Sequence, residues 1–181
     1  MDQQRPLLMQ LENCYELLKV AQNTVERTVL KIPLMPAKSQ TKNCGVFASI
    51  YVAKQLRGCF GKPFPDPHQS LEELIQEISV EAATDPRFPP ITREDLPSLT
   101  MELSFLTTPQ PITVDQIRLG VHGLIVEQEG KTSVFLPKVA TDKNWDVETL
   151  LNKLCLKAEL HEDAWKKGAA LSSFQVQVVK N

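Results

Sequence analysis

Apolar positions in this chain recur with two different periods, and each period predicts a different element. Between residues 7 and 29, Leu11, Cys14, Leu18, Ala21 and Val25 return at three- and four-residue steps, which puts them on one face of a helix. Pro33 and Pro36 end that helix and open a linker running to about residue 43. GVFASIYV, residues 45–52, concentrates β-branched and aromatic side chains and predicts a strand. It is followed by QLRGCFGKPFPDP, residues 55–67, whose first half predicts the second strand of a hairpin. Prolines 63, 65 and 67 lack the N–H that a ladder needs, so pairing stops before them. Helical spacing returns over 70–83 with Leu71, Leu74, Ile75, Ile78 and Ala82, and Ser70 and Glu73 stand in capping-box positions. Asp85-Pro86 closes this helix, because the residue before a proline is pushed out of helical geometry.

TREDLPSL, from Thr92, allows one further short helical turn. Over 99–105 the alternation is strict: Leu99, Met101, Leu103 and Phe105 face one way, and Thr100, Glu102 and Ser104 the other, which predicts a half-buried strand. TTPQPIT, residues 107–113, reads as a lobe boundary. Beyond it GLIVEQ and KTSVFLP form a hairpin turning at Glu129-Gly130. Asn144 or Asp146 caps a helix carrying Trp145, Val147, Leu150, Leu151, Leu154 and Ala158, with Cys155 on the same apolar side. Gly168 and Ser172-Ser173 mark a loop, and FQVQVVK, residues 174–180, alternates as a final strand. Helices mixed with mainly antiparallel strands in this order predict an α+β protein.

The chain has 181 residues, enough for one domain or two small lobes, and a 42% apolar share supports a packed core. Net charge is -2 with no basic run, which argues against a generic grip on nucleic acid, since phosphate neutralisation needs a basic face. No run of about 18 apolar residues is present, and MDQQRPLLMQ lacks the basic start and apolar core of a leader, so a cytoplasmic protein is expected. Cys14, Cys44, Cys59 and Cys155 form no CxxC pair, and His68, His122 and His161 show no HxxxH spacing. No metal and no cofactor are therefore expected.

LRGCFG is joined downstream by DPRFPPIT, ELSFLTTPQPI, GLIVEQEGKTSVFLPKVA and WDVETLLNKLCLKAEL. In this collinear order the blocks resemble the AMMECR family, named for the AMME syndrome chromosomal region and also known as the A component of the AmmeMemoRadiSam system. The resemblance implies an α+β fold of two unequal lobes. The larger, 1–108 with 170–181, is built from both chain ends, and the smaller, 109–169, is inserted, with the LRGCFG strand facing the cleft between them. It also implies radical-SAM and Memo-type proteins as partners, and work with transcription, replication, repair or translation machinery. In a eukaryotic member the nucleus is a second location. Two departures stand out: Phe60 replaces the usual isoleucine of LRGCIG, and KTSVFLPKVA stands where the family has a basic RRGLLLPQVA-like run.

In an ideal strand Arg57, Cys59 and Gly61 share one face, and Leu56, Gly58 and Phe60 the other. A guanidinium beside a thiol favours the thiolate, which makes Cys59 the candidate catalytic nucleophile or redox group. Arg57 can recognise a carboxylate or phosphate without covalent chemistry. Gly58 and Gly61 leave the main chain open to a ligand or to another backbone. Against this, buried free cysteine is often a small apolar filler, and Arg57 can serve a structural ion pair. Glu102 is a weaker candidate as a partner of Arg57, as are Asp85 and Arg87, which can form a helix-end ion pair. No histidine is placed by the sequence as a base for Cys59, so a binding or accessory module is favoured over an enzyme.

Overall fold

The computed structural model describes residues 11–38 and 44–181. The expected helix start at residue 7 and the linker's last residues, 39–43, lie outside them. Helix α1 spans Leu11–Leu30 and buries Cys14, Leu18, Ala21 and Val25, the face its spacing predicts. Lys31 ends it in the left-handed region, φ 57°, while the Ile32 N–H donates to the Arg27 carbonyl.

Strands β1, Val46–Val52, and β2, Gln55–Lys62, form the predicted hairpin. Its two-residue turn, Ala53-Lys54, has both φ angles positive, the twist that suits a tight hairpin. Helix α2, Leu71–Ala83, starts from the predicted capping box. Ser70 Oγ accepts from the Glu73 N–H, and the Glu73 carboxylate accepts from the Ser70 N–H. Arg93–Ser98 makes the short 3₁₀ turn, and β3 covers Leu99–Leu106. With β8, Val176–Lys180, these strands form a sheet of order β2-β1-β3-β8, in which β1 runs antiparallel to both neighbours.

The inward side chains of β1 and β3 pack with α1 and α2 into one core that includes Ile50, Met101, Leu103, Leu74 and Ile78. Ser104 departs from expectation. It is buried, on a strand that lies between β1 and β8.

A second sheet has the order β4-β7-β5-β6, from Gln110–Pro111, Ala170–Phe174, Gly123–Gln128 and Lys131–Phe135. The β5–β6 turn is Glu129-Gly130, with φ 53° and 75°. A short helix that periodicity did not show, α3 over Lys138–Lys143, ends at Asn144 in the left-handed region. Asp146 is therefore the cap of α4, Val147–Lys157, and accepts from the Thr149 N–H at 2.8 Å. Leu124, Val126, Leu150, Leu151 and Leu154 form a separate core here.

The fold is α+β, in two compact units: 1–105 with 177–181, and 106–176. The return crossing lies later than the expected boundary between 169 and 170. Ser172 and Ser173 are strand residues that pair with Ile125 and Leu124 of β5, so the chain leaves this unit only after Val176.

Candidate functional site

The LRGCFG strand is an edge strand, and its shape follows from one extra residue. The β1–β2 register runs Cys59 opposite Ser49 and Gly58 opposite Ile50, then slips so that Leu56 faces Tyr51. Arg57 is left without a cross-strand partner, as in a β-bulge. Strict alternation therefore holds from Gly58 onward, and Leu56 lies with Tyr51 rather than on the Gly58 face.

Freed from the pleat, the Arg57 guanidinium reaches the loop after α2. Its Nη2 donates to the Pro90 carbonyl at 2.9 Å and the Pro89 carbonyl at 3.3 Å, and lies 3.6 Å from Asp95 Oδ2. Arg57 Nε is buried without a hydrogen-bond partner among the described residues. Asp95 is itself held by Thr92, whose N–H and hydroxyl both donate to it, and these bonds, the N–H above all, pull its carboxyl below the ordinary range. Sequence reasoning passed over Asp95, although Thr92 and Asp95, three apart ahead of a proline, were its signal.

Asp85 and Arg87 clamp the outer rim of β2. Arg87 binds Asp85 through two nitrogens, Nη2 to Oδ2 at 2.6 Å and Nε to Oδ1 at 2.9 Å. Asp85 Oδ2 also accepts the Cys59 N–H at 3.1 Å, and Arg87 Nη2 donates to the Cys59 carbonyl at 2.7 Å. The two side chains together replace a neighbouring strand for this one residue. The Arg87 bond, aided by the Cys59 N–H, holds the Asp85 carboxyl down at about 2, against the push of its burial. The cation that touches Cys59 is thus Arg87 rather than Arg57, through a hydrogen bond to the backbone carbonyl.

The glycines are filled from inside the protein. A Cβ on Gly58 would stand 1.9 Å from the Ala82 carbonyl oxygen of α2, and one on Gly61 would stand 2.3 Å from the Phe47 ring. Cys59 is half-buried, and its sulfur accepts from the Ser49 hydroxyl at 3.5 Å. Ser49 is in turn in register with Glu102 of β3, so thiol, hydroxyl and carboxylate positions form one row across three strands. Of the histidines, His122 Nδ1 accepts from the Arg118 N–H, His161 pairs with Asp163, and His68 is exposed after the proline run. Among the described residues no three His, Cys, Asp or Glu side chains gather as a metal site. No helix among them is long and apolar enough to cross a membrane.

The AMMECR1 family profile matches residues 14–179. The chain belongs to the AMMECR1 family. Protein Mbar_A1807 of Methanosarcina barkeri is 42% identical over 143 residues, covering 75% of this chain and 70% of its own. Protein MJ0810 of Methanocaldococcus jannaschii is 38% identical over 149 residues, covering 77% and 73%. The crystal structure of uncharacterized protein PH0010 from Pyrococcus horikoshii superposes with a TM-score of 0.78 at 29% identity, covering 92% of this chain and 90% of that one. In this AMMECR1 protein Phe60 is partly exposed on the edge strand, and KTSVFLPKVA forms β6 and the start of α3.

Proposed function

We infer that this AMMECR1 protein is a binding or accessory module that holds a protein segment or other large ligand on the sheet face carrying Cys59. One observation carries the reading. The ionic groups around the motif, Arg57, Asp85, Arg87 and Asp95, bond to one another and to backbone, so they brace a surface rather than assemble a reaction centre. Radical-SAM and Memo-type proteins, implied by the family resemblance, are the first partners to test, and transcription, replication, repair or translation machinery the next. In calorimetric titration with such a partner, wild type and Cys59→Ser are expected to bind alike, whereas a bulky Cys59→Trp loses binding. Turnover of a defined substrate by the chain alone, abolished in Cys59→Ser, overturns the reading.

The Ser49–Cys59 contact favours a second reading, an enzyme with Cys59 as nucleophile or redox thiol. It requires iodoacetamide to alkylate Cys59 faster than a model thiol of pKa about 8.5. An equal or slower rate removes it.

A further inference from the structure

Residues 32–38, IPLMPAK, run between α1 and the first sheet in neither helix nor strand. Single exposed apolar residues are ordinary, but here they are consecutive. Ile32 is 43% exposed, Leu34 42% and Met35 45%, with Pro33 and Pro36 exposed between and beyond them. A run of this kind is a liability unless something binds it.

Two side chains tie its backbone to the helices. The Arg27 Nε donates to the Pro33 carbonyl at 2.6 Å, and the Gln76 Nε2 of α2 donates to the Met35 carbonyl at 2.7 Å. Pro33 and Pro36 have their own φ locked, and as residues before proline Ile32 and Met35 are confined to extended or polyproline geometry. At three residues per turn, Ile32 and Met35 share one ridge of such a segment, Pro33 and Pro36 the next, and Leu34 and Ala37 the third. The order is apolar-Pro-x-apolar-Pro-x-cation, with Lys38 exposed at its end and Lys31 exposed at its start. No acidic residue lies between them.

We propose that residues 32–38 are a docking ridge for a proline-recognition groove on another protein, one with aromatic walls and an acidic end. Paired apolar-proline ridges fit slots between aromatic side chains, and a pre-ordered segment loses little entropy on binding. Lys38 supplies the direction of docking by pairing with the acidic end. The proposal uses neither Cys59 nor the β2 rim, so it stands or falls apart from the reading above.

The test titrates an SH3 domain selective for this ligand order into the isotopically labelled full chain and follows amide shifts. Shifts are expected within 31–38 and at Arg27 and Gln76. Pro33→Ala with Pro36→Ala, and separately Lys38→Glu, should weaken binding by about tenfold or more. Leu34→Ser, on the third ridge, should stay within about twofold. Gln76→Ala, which frees the Met35 carbonyl, should weaken binding through lost order. These side chains lie outside the core, so the variants' unfolding midpoints serve as the folding control. No binding where a free proline-rich peptide binds the probe, shifts centred elsewhere, or indifference to the proline changes overturns the proposal. So does tighter binding by Gln76→Ala, which means that the segment docks only when detached. A wild-type dimer that the proline changes dissolve assigns the ridge to a second copy, and also overturns it.

Discussion

Gly58 shows how one missing side chain sets the geometry of a site. Its φ is not in the left-handed region, so conformational freedom is not its use. Its use is space, because the carbonyl oxygen of Ala82 occupies the volume where a Cβ would project. That oxygen belongs to helix backbone and cannot rotate away, so Gly58→Ala must push α2 off the sheet. A cost of about 3 kcal/mol is expected, at the upper end of overpacking. Gly130 is the natural comparison. It has φ 75° and open space around it, so Gly130→Ala carries only the left-handed penalty of about 1 kcal/mol. Urea unfolding at unchanged slope should rank the two in that order. Equal losses would mean that α2 yields easily and that the close approach does not fix the edge strand.

At the scale of elements, the question is what occupies the outer rim of an edge strand. At Cys59 it is Asp85 and Arg87, which occupy the N–H and the carbonyl. Because the Asp85 carboxyl is lowered from 3.8 to about 2, the clamp stabilises the fold fully above pH about 4. The contribution drains away as pH falls through about 2, where the folded carboxylate takes its proton. Asp85→Asn keeps the size but not the charge. It should lower stability at neutral pH, flatten the loss between about pH 4 and 2, and speed exchange of the Cys59 amide. An unchanged acid limb in that variant would place the acid sensitivity elsewhere. Periodicity foretold the two strands and α2 that flank this clamp, and it made Asp85–Arg87 a candidate pair. It could not show that the pair reaches Cys59, 26 residues back, because that contact depends on how α2 lies across the sheet. It could not show the slip at Arg57 either, since a bulge leaves the apolar alternation of β1 untouched. The helix α3 and the serines of β7 escaped for a related reason: one is six residues long and the other is polar, so neither carries a repeating apolar signal.

For the molecule as a whole, the decisive feature is that the described residues build two cores instead of one. Leu74, Ile78 and Met101 belong to the first, Leu124, Leu151 and Leu154 to the second, and the second is made from one continuous stretch, 106–176. A continuous unit with its own core can open as a unit, because its apolar contacts are made within itself. Leu151 and Leu74 are both fully buried, so alanine at either leaves a cavity and costs about 2–5 kcal/mol. Leu151→Ala is expected to speed amide exchange across β5, β6 and α4 while the amides of β1 and α2 keep their protection. Leu74→Ala is expected to do the reverse. Native-state hydrogen exchange of both variants reads the outcome directly. If either substitution accelerates both sets of amides equally, the molecule opens in one step, and the two cores are a single cooperative structure despite their separate packing.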